Sequence, residues 1–337
     1  MSNRVTIKSI ARDLGISHMT VSRALSDHPN VRPDTRKAVQ DHARKVGYVK
    51  NAAAKAMRGD GTKIVGLLLP NIVNEFYARF ANTLAQSCED HSLHLIIHLT
   101  NDDPETELRA FERLHEVQAM SVIHVPAPGA VRNVSAHLNG VNVIQLIREQ
   151  DMGQPVSSIL VEDHRPIGEA VQHLAGLGHR SIGYIGADER LSSGRARRAA
   201  FEAGLASAGL ASDERLITLG APDFSTGQRN AARLLEAGNV TAIVCGGFEI
   251  SNGALSVFLE ADQGAVEGAG FVGYGDPSYY AWLGGGVSTI AMQVDELAQE
   301  AARLAACRPE EQPVNRRSFE ASFVARNTHL APMRGGG

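Results

Sequence analysis

Apolar positions recur at helical spacing near the start of this chain and gather into short strand-like runs through the rest of it. In TIKSIARDLGISHMTVSRALS, from Thr6 to Ser26, the residues Ile7, Ile10, Ala11 and Leu14 share one helix face. Thr6 is placed to cap that helix and Gly15 to end it with a positive φ. Ile16 sits at the corner. Ser17 is a good N-cap for a second helix, with Val21, Ala24 and Leu25 inward and His18, Met19, Thr20, Ser22 and Arg23 outward. The pattern predicts a helix-turn-helix whose outward residues are candidate base readers, although an ordinary helical hairpin has the same periodicity. A third helix is expected from Pro33 to about Val46, with Val39, His42, Ala43 and Val46 as its inner stripe and Gly47 as its stop. The next segment, YVKNAAAKAMRGDG from Tyr48 to Gly61, offers Asn51 as a cap and Ala52 to Met57 as helix formers. A helix shorter than ~12 residues is marginal in water, so this tether should fold only when held, or act as a plain linker.

After Lys63 the pattern changes to β-rich apolar runs separated by helical stretches: IVGLLLP, LHLIIHLT, SVIHVPA, VNVIQLI and SSILVE, beginning at Ile64, Leu93, Ser121, Val141 and Ser157. Continuous apolar runs of this length are those of a parallel sheet covered on both faces. A second series follows in SIGYIGA, LITLGA, TAIVCGG and AGFVGYGD, from Ser181, Leu216, Thr241 and Ala269. Two parallel α/β layers of similar size imply a crevice between lobes, with ligands expected beyond the carboxyl ends of the strands.

Charge sharpens the division. From Met1 to Lys63, thirteen Lys plus Arg face five Asp plus Glu, a net +8; the whole chain is −4, which leaves −12 on the remainder. One end is built for a polyanion. The 337 residues can bury at least two cores, and 43% hydrophobic content with no apolar run near ~20 residues describes a soluble chain. The opening MSNRVTIKSI lacks an apolar signal core, and Cys88, Cys245 and Cys307 are few, scattered and odd in number. Reduced thiols in a cytoplasm are expected, with no metal site.

The strand-end positions carry the candidate ligand chemistry: Asn71, Phe76 and Tyr77 after the first strand, Arg148 after the fourth, and the Ser192 to Arg198 stretch, Phe224, Asp276 and Trp282 in the second layer. Neighbours on a helix differ by about 100°, so of Arg195, Arg197 and Arg198 only Arg197 is expected in the crevice. Catalysis finds little support, because no GxSxG, P-loop or HExxH occurs and the glycines around Gly178 and Gly273 lack the GxGxxG order. A non-enzyme needing no cofactor is expected.

Taken together, TIKSIARDLGISHMTVSRALS, HPNVRPDTRKAVQDHARKVGY, NAAAKAM, the P-N-x-x-N-x-F-Y run from Pro70, LAGLGHRSIGYIG from Leu174 and FVARNTHLAP from Phe323 occur in one order. On these motifs the chain resembles the lactose and galactose repressor (LacI/GalR) family over essentially its whole length. The resemblance implies an N-terminal all-α helix-turn-helix DNA-binding domain at 1–50, a hinge helix and linker at 51–62, and a two-lobed α/β periplasmic-binding-protein-like (type I) effector domain at 63–330. Its N-subdomain would comprise about 63–161 and 292–318, and its C-subdomain about 162–291 and 319–330. It further implies a cytoplasmic homodimer, probing operator DNA as a repressor and answering to a small effector in the crevice. His18, Met19 and Arg23 would then read base edges, with Arg23 on guanine, while Ser17, Thr20, Ser22 and Asn30 position phosphates. Thr6, Asn51, Ala54 and Lys55 complete the DNA-facing set. Met57 stands where the family places an apolar minor-groove wedge, usually leucine, and Lys50 replaces the familiar proline.

The same resemblance implies an effector set of Asn71, Phe76, Tyr77, Arg148, Arg197, Phe224, Asp276 and Trp282. Departures from the family pattern lie here. Gly247 and Phe248 stand for a common Asn-Asp, Gly275 for the first of two aspartates, Ile147 for an Asp before Arg148, and Met292 for a common glutamine. Fewer carboxylates around two arginines favours an acidic effector, a sugar acid or phosphorylated sugar, clamped bidentately by Arg197; a neutral sugar is the alternative. Inducer and corepressor fit equally. The ending APMRGGG has no leucine heptads, so a dimer is expected rather than a tetramer. Two other classes share parts of this pattern: a transport-type solute-binding protein has the body without the basic head, and a two-lobed enzyme needs a base or nucleophile in the crevice.

Overall fold

The computed structural model describes residues 5–48, 62–129, 140–260, 269–307 and 314–328. The chain divides into a unit from Met1 to Thr62 and a unit from Lys63 to Gly337. In the first, α1 (Ile7–Leu14), α2 (His18–Leu25) and α3 (Pro33–Lys45) enclose a small core in which Ile10, Val21, Ala24 and Val39 are fully buried. Its ends are chemically fixed. Thr6 and Ser9 form a reciprocal capping box on α1, and Gly15, at φ 65°, ends it in the left-handed conformation that a side chain resists. Ser17 caps α2 by accepting from Thr20 N. His42, expected on the inner stripe of α3, instead stands half-exposed, 3.3 Å from Asp13 of α1. The tether candidates Asn51, Ala54, Lys55 and Met57 lie outside the described residues.

The second unit holds two six-stranded sheets. The first lobe runs β1 (Ile64–Leu69), α4 (Glu75–Asp90), β2 (His94–Leu99), α5 (Pro104–Glu116), β3 (Ser121–His124), β4 (Asn142–Leu146) and β5 (Ser157–Glu162). The second runs α6 (His164–Gly176), β6 (Ile182–Ala187), α7 (Ser192–Ser207), β7 (Ile217–Gly220), α8 (Phe224–Glu236), β8 (Ala242–Cys245), α9 (Phe248–Glu260), β9 (Gly270–Tyr274) and β10 (Thr289–Ala291). The chain then returns to the first lobe with α10 (Val294–Ala305) and β11 (Arg316–Glu320), and crosses once more to end with β12 (Ser322–Val324). The sheet orders are β11-β5-β4-β3-β1-β2 and β12-β10-β9-β8-β6-β7. Every pairing is parallel except that of β12 with β10. Three crossings therefore join the lobes, after β5, after β10 and after β11.

The nine strands expected from apolar runs are present, and three more complete the sheets. β10 and β12 span only three residues each, too short for a run to stand out. β11 reads RRSFE and is largely exposed at a sheet edge, where charge rather than apolar alternation protects the open backbone. Helices cover both faces as parallel sheets require: on the first sheet α4 and α10 bury Phe80, Leu84, Leu297 and Ala301 on one face and α5 buries Phe111 and Leu114 on the other, and on the second α6 and α7 bury Ile167, Val171 and Phe201 on one face and α8 and α9 bury Leu234, Ile250 and Ala254 on the other. No helix among the described residues is long and apolar enough to cross a membrane.

Candidate functional site

Two surfaces hold the candidate residues. On the head, packing fixes which face of α2 is left over: with Val21 and Ala24 buried, Ser17, His18, Met19 and Arg23 are exposed and Thr20 and Ser22 half-buried. Met19 is 55% exposed, a large apolar side chain held out in solvent. Arg23 has no ion-pair partner among the described residues, whereas Arg36 and Arg44 lean toward Asp27 and Asp41. The Ser17 hydroxyl accepts from Thr20 N at 3.1 Å and lies 2.9 Å from the Thr20 hydroxyl, so both are engaged in holding the start of the helix. Thr6 is likewise occupied by its capping box, and the exposed Asn30 donates its N–H to His28 Nδ1 at 3.3 Å.

The second surface is the cleft at the carboxyl ends of the strands of both lobes. Beyond β1, Asn71 Oδ1 accepts from Asn74 N and Asn74 Oδ1 from Phe76 N, each at 3.0 Å. These nested caps explain both asparagines of the P-N-x-x-N-x-F-Y run and set Phe76 and Tyr77 on the first turn of α4. Beyond β4, Arg148 N donates to the Leu146 carbonyl at 2.7 Å across Ile147, which is at φ 55°. A tight turn through a β-branched residue at positive φ is strained, and its effect is to present Arg148 to the cleft. Arg148 is 5% exposed; its Nη1 donates to Asp102 Oδ1 at 2.5 Å and to the Pro126 carbonyl at 3.1 Å, and its Nε is buried without a partner among the described residues.

The second lobe repeats the device. Arg197, on α7, donates from Nε to Asp163 Oδ2 at 2.7 Å and from Nη1 to the Gly246 carbonyl at 3.2 Å, with its guanidinium carbon 3.9 Å from the centre of the Tyr274 ring. Tyr274 donates to the same Asp163 oxygen at 2.5 Å. Asp163 occupies the N-cap of α6 yet makes no cap hydrogen bond, its carboxylate being directed to these two partners. Burial opposes the Arg197 charge, but Tyr274 and Asp163 outweigh it and hold the guanidinium more firmly protonated than usual. Burial pushes the Tyr77 phenol up to about 12, which keeps it a neutral donor at ordinary pH.

Asn71, Phe76, Tyr77, Arg148 and Arg197 line one inner chamber of about 50 Å³. It adjoins, past Asn71, Asp102 and Pro222, a vestibule of about 410 Å³. Three expected residues are elsewhere. Phe224 opens α8 and is 41% exposed, with only Pro222 of that loop reaching the chamber. Asp276 is held bidentately by Arg326 at 2.7 and 2.8 Å, outside the chamber. Trp282 is carried by a short 3-10 turn and is 70% exposed. Where the sequence suggests a bidentate Arg197 clamp for an anion, the Arg197 fork here holds Asp163 and Gly246 and Arg148 holds Asp102, so each arginine has a carboxylate partner within the chain. Asp102, Asp163 and Tyr274 are the residues that strand-end reasoning passes over, although each stands at or just beyond the end of a strand. Among the described residues no cluster of three or more His, Cys, Asp or Glu side chains is placed to hold a metal ion.

A helix-turn-helix head followed by a two-lobed body with a buried polar cleft defines a DNA-binding regulator with a small-molecule-binding domain. Residues 62–297 match the family model for periplasmic binding proteins and the sugar binding domain of the LacI family, and residues 6–51 match that for bacterial regulatory proteins of the lacI family. The chain belongs to the LacI family. It is 26% identical over 333 residues to the HTH-type transcriptional regulator GalR of Escherichia coli K12, covering 97% of this chain and 96% of that one. It is 24% identical over 305 residues to DegA of Bacillus subtilis 168, covering 90% of each. The lac repressor dimer solved with operator and the anti-inducer ONPF superposes with a TM-score of 0.82 at 20% identity, covering 98% of this chain and 100% of that one, a likeness of fold.

Proposed function

We propose that this protein is a cytoplasmic, homodimeric repressor whose operator affinity is set by a neutral polyhydroxylated metabolite, a sugar or a close relative, bound between the lobes. The observation that carries the ligand class is the pairing of both cleft arginines. Arg148–Asp102 presents a donor and an acceptor side by side in the chamber, which matches vicinal hydroxyls, while Asp163, buried behind Arg197, offsets the second charge and leaves little net positive field for an anion. Phe76 and Tyr77 supply aromatic faces for the C–H face of a sugar ring, and the unpartnered Arg148 Nε is a further buried donor. In this reading the head, 1–50, reads DNA through His18, Met19 and Arg23; the segment 51–62 couples; the body, 63–330, senses.

The test is a gel shift of the full chain against duplexes selected from a randomised pool, repeated with neutral sugars and with sugar acids or sugar phosphates. Retarded bands that require Arg23 and respond to a neutral sugar are expected. A response only to the anionic compounds, or specific retardation that survives Arg23→Ala, sinks the reading.

A further inference from the structure

The inner chamber is polar on one set of residues and apolar on another. Its polar lining includes Arg148, Asp102 and Glu249, and its apolar lining includes Ile147, Phe248 and Met292, whose side chains offer a hydroxyl no strong partner. Phe248, with Phe76 and Met292, also lines a small neighbouring cavity, and Asp276 lines that cavity but not the chamber. The ring is seated on Gly275, which is at φ 88° and where an added Cβ would lie 2.2 Å from the ring edge. Gly275 and Phe248 are therefore one feature: the missing side chain at 275 makes the space that the ring fills. Asp276, the next residue, is turned to Arg326 and offers the chamber nothing.

Resting on the neutral-sugar reading above, we infer that the cleft selects a deoxygenated sugar, with hydroxyls on the Arg148–Asp102 pair and a methyl or deoxy carbon against Phe248, as in a 6-deoxyhexose. A hydroxyl pressed on this wall loses its water without gaining a partner. Discrimination between ligands that differ by one hydroxyl in an apolar pocket reaches roughly 100-fold.

Calorimetry of the full chain with three matched pairs, D-fucose and D-galactose, L-fucose and L-galactose, L-rhamnose and L-mannose, tests this. At least one deoxy sugar should bind about 10- to 100-fold tighter than its hydroxylated partner. Phe248→Leu should keep that preference and Phe248→Asn should erase or invert it, so a folding defect common to both variants is separable from a lost wall. Equal or tighter binding of the hydroxylated member in every pair overturns the inference and leaves the neutral-sugar reading standing. A preference unchanged in Phe248→Asn overturns it as well. Binding of none of the six sugars overturns the inference and the neutral-sugar reading together.

Discussion

Asp163 satisfies two donors that packing has already removed from water. Its side chain is 8% exposed and that of Arg197 is 10%, and its second donor, Tyr274, is buried as well. Removing one member of a buried pair leaves the other charged in a low-dielectric site, a loss of about 3–5 kcal/mol. Asp163→Ala should therefore destabilise the chain by about that much in urea unfolding, and a change under ~1 kcal/mol would show that water already compensates the guanidinium. Strand-end position singles out Asn71, Tyr77, Arg148 and Arg197, and it marks Asp102 and Asp163 no less. What makes the two aspartates part of the site is a partner 46 and 34 residues away along the chain, and no local spacing carries that. Phe224 and Trp282, both exposed and away from the chamber lining, mark the complementary limit: a position after a strand fixes a loop, not the direction in which its side chain points.

Elements are more legible than residues because a parallel sheet imposes a pattern of its own. Strands buried on both faces must read as apolar runs, and β1, β6 and β8 do. The edge strand β11 escapes because its stability comes from pairing with β5 rather than from burial of its side chains. Helix packing leaves a clearer mark. α8 and α9 approach so closely that a Cβ added to Gly253 would lie 1.9 Å from the Phe224 carbonyl oxygen, and one added to Gly227 would lie 2.0 Å from that of Ile250. Backbone atoms cannot yield as side chains do. Gly253→Ala should force the helices apart and cost about 1–3 kcal/mol or more, read as a lowered melting temperature of the full chain. An unchanged melting temperature would mean that the two helices slide past each other without loss.

At the scale of the whole molecule the charge division and the two-lobed body have meaning only if the head and the cleft exchange free energy. The head segment to Lys63 carries +8 and the remainder −12, so operator contacts and ligand contacts draw on different ends of the chain. Any linkage between them is thermodynamic: a ligand that changes operator affinity by some factor must have its own affinity changed by operator by the same factor. Couplings of this kind are about 1–3 kcal/mol, or roughly 5- to 150-fold. The strongest binder from the calorimetric panel should therefore shift the operator titration midpoint by a factor in that range. Calorimetry of the same ligand into the preformed operator complex should return that factor, in the same direction. An inducer weakens both and a corepressor tightens both, so the sign is measured rather than assumed. A factor of one in both titrations, with ligand and DNA each bound specifically, would mean that the cleft does not control the head, and the regulatory reading would fall while the two binding activities stood.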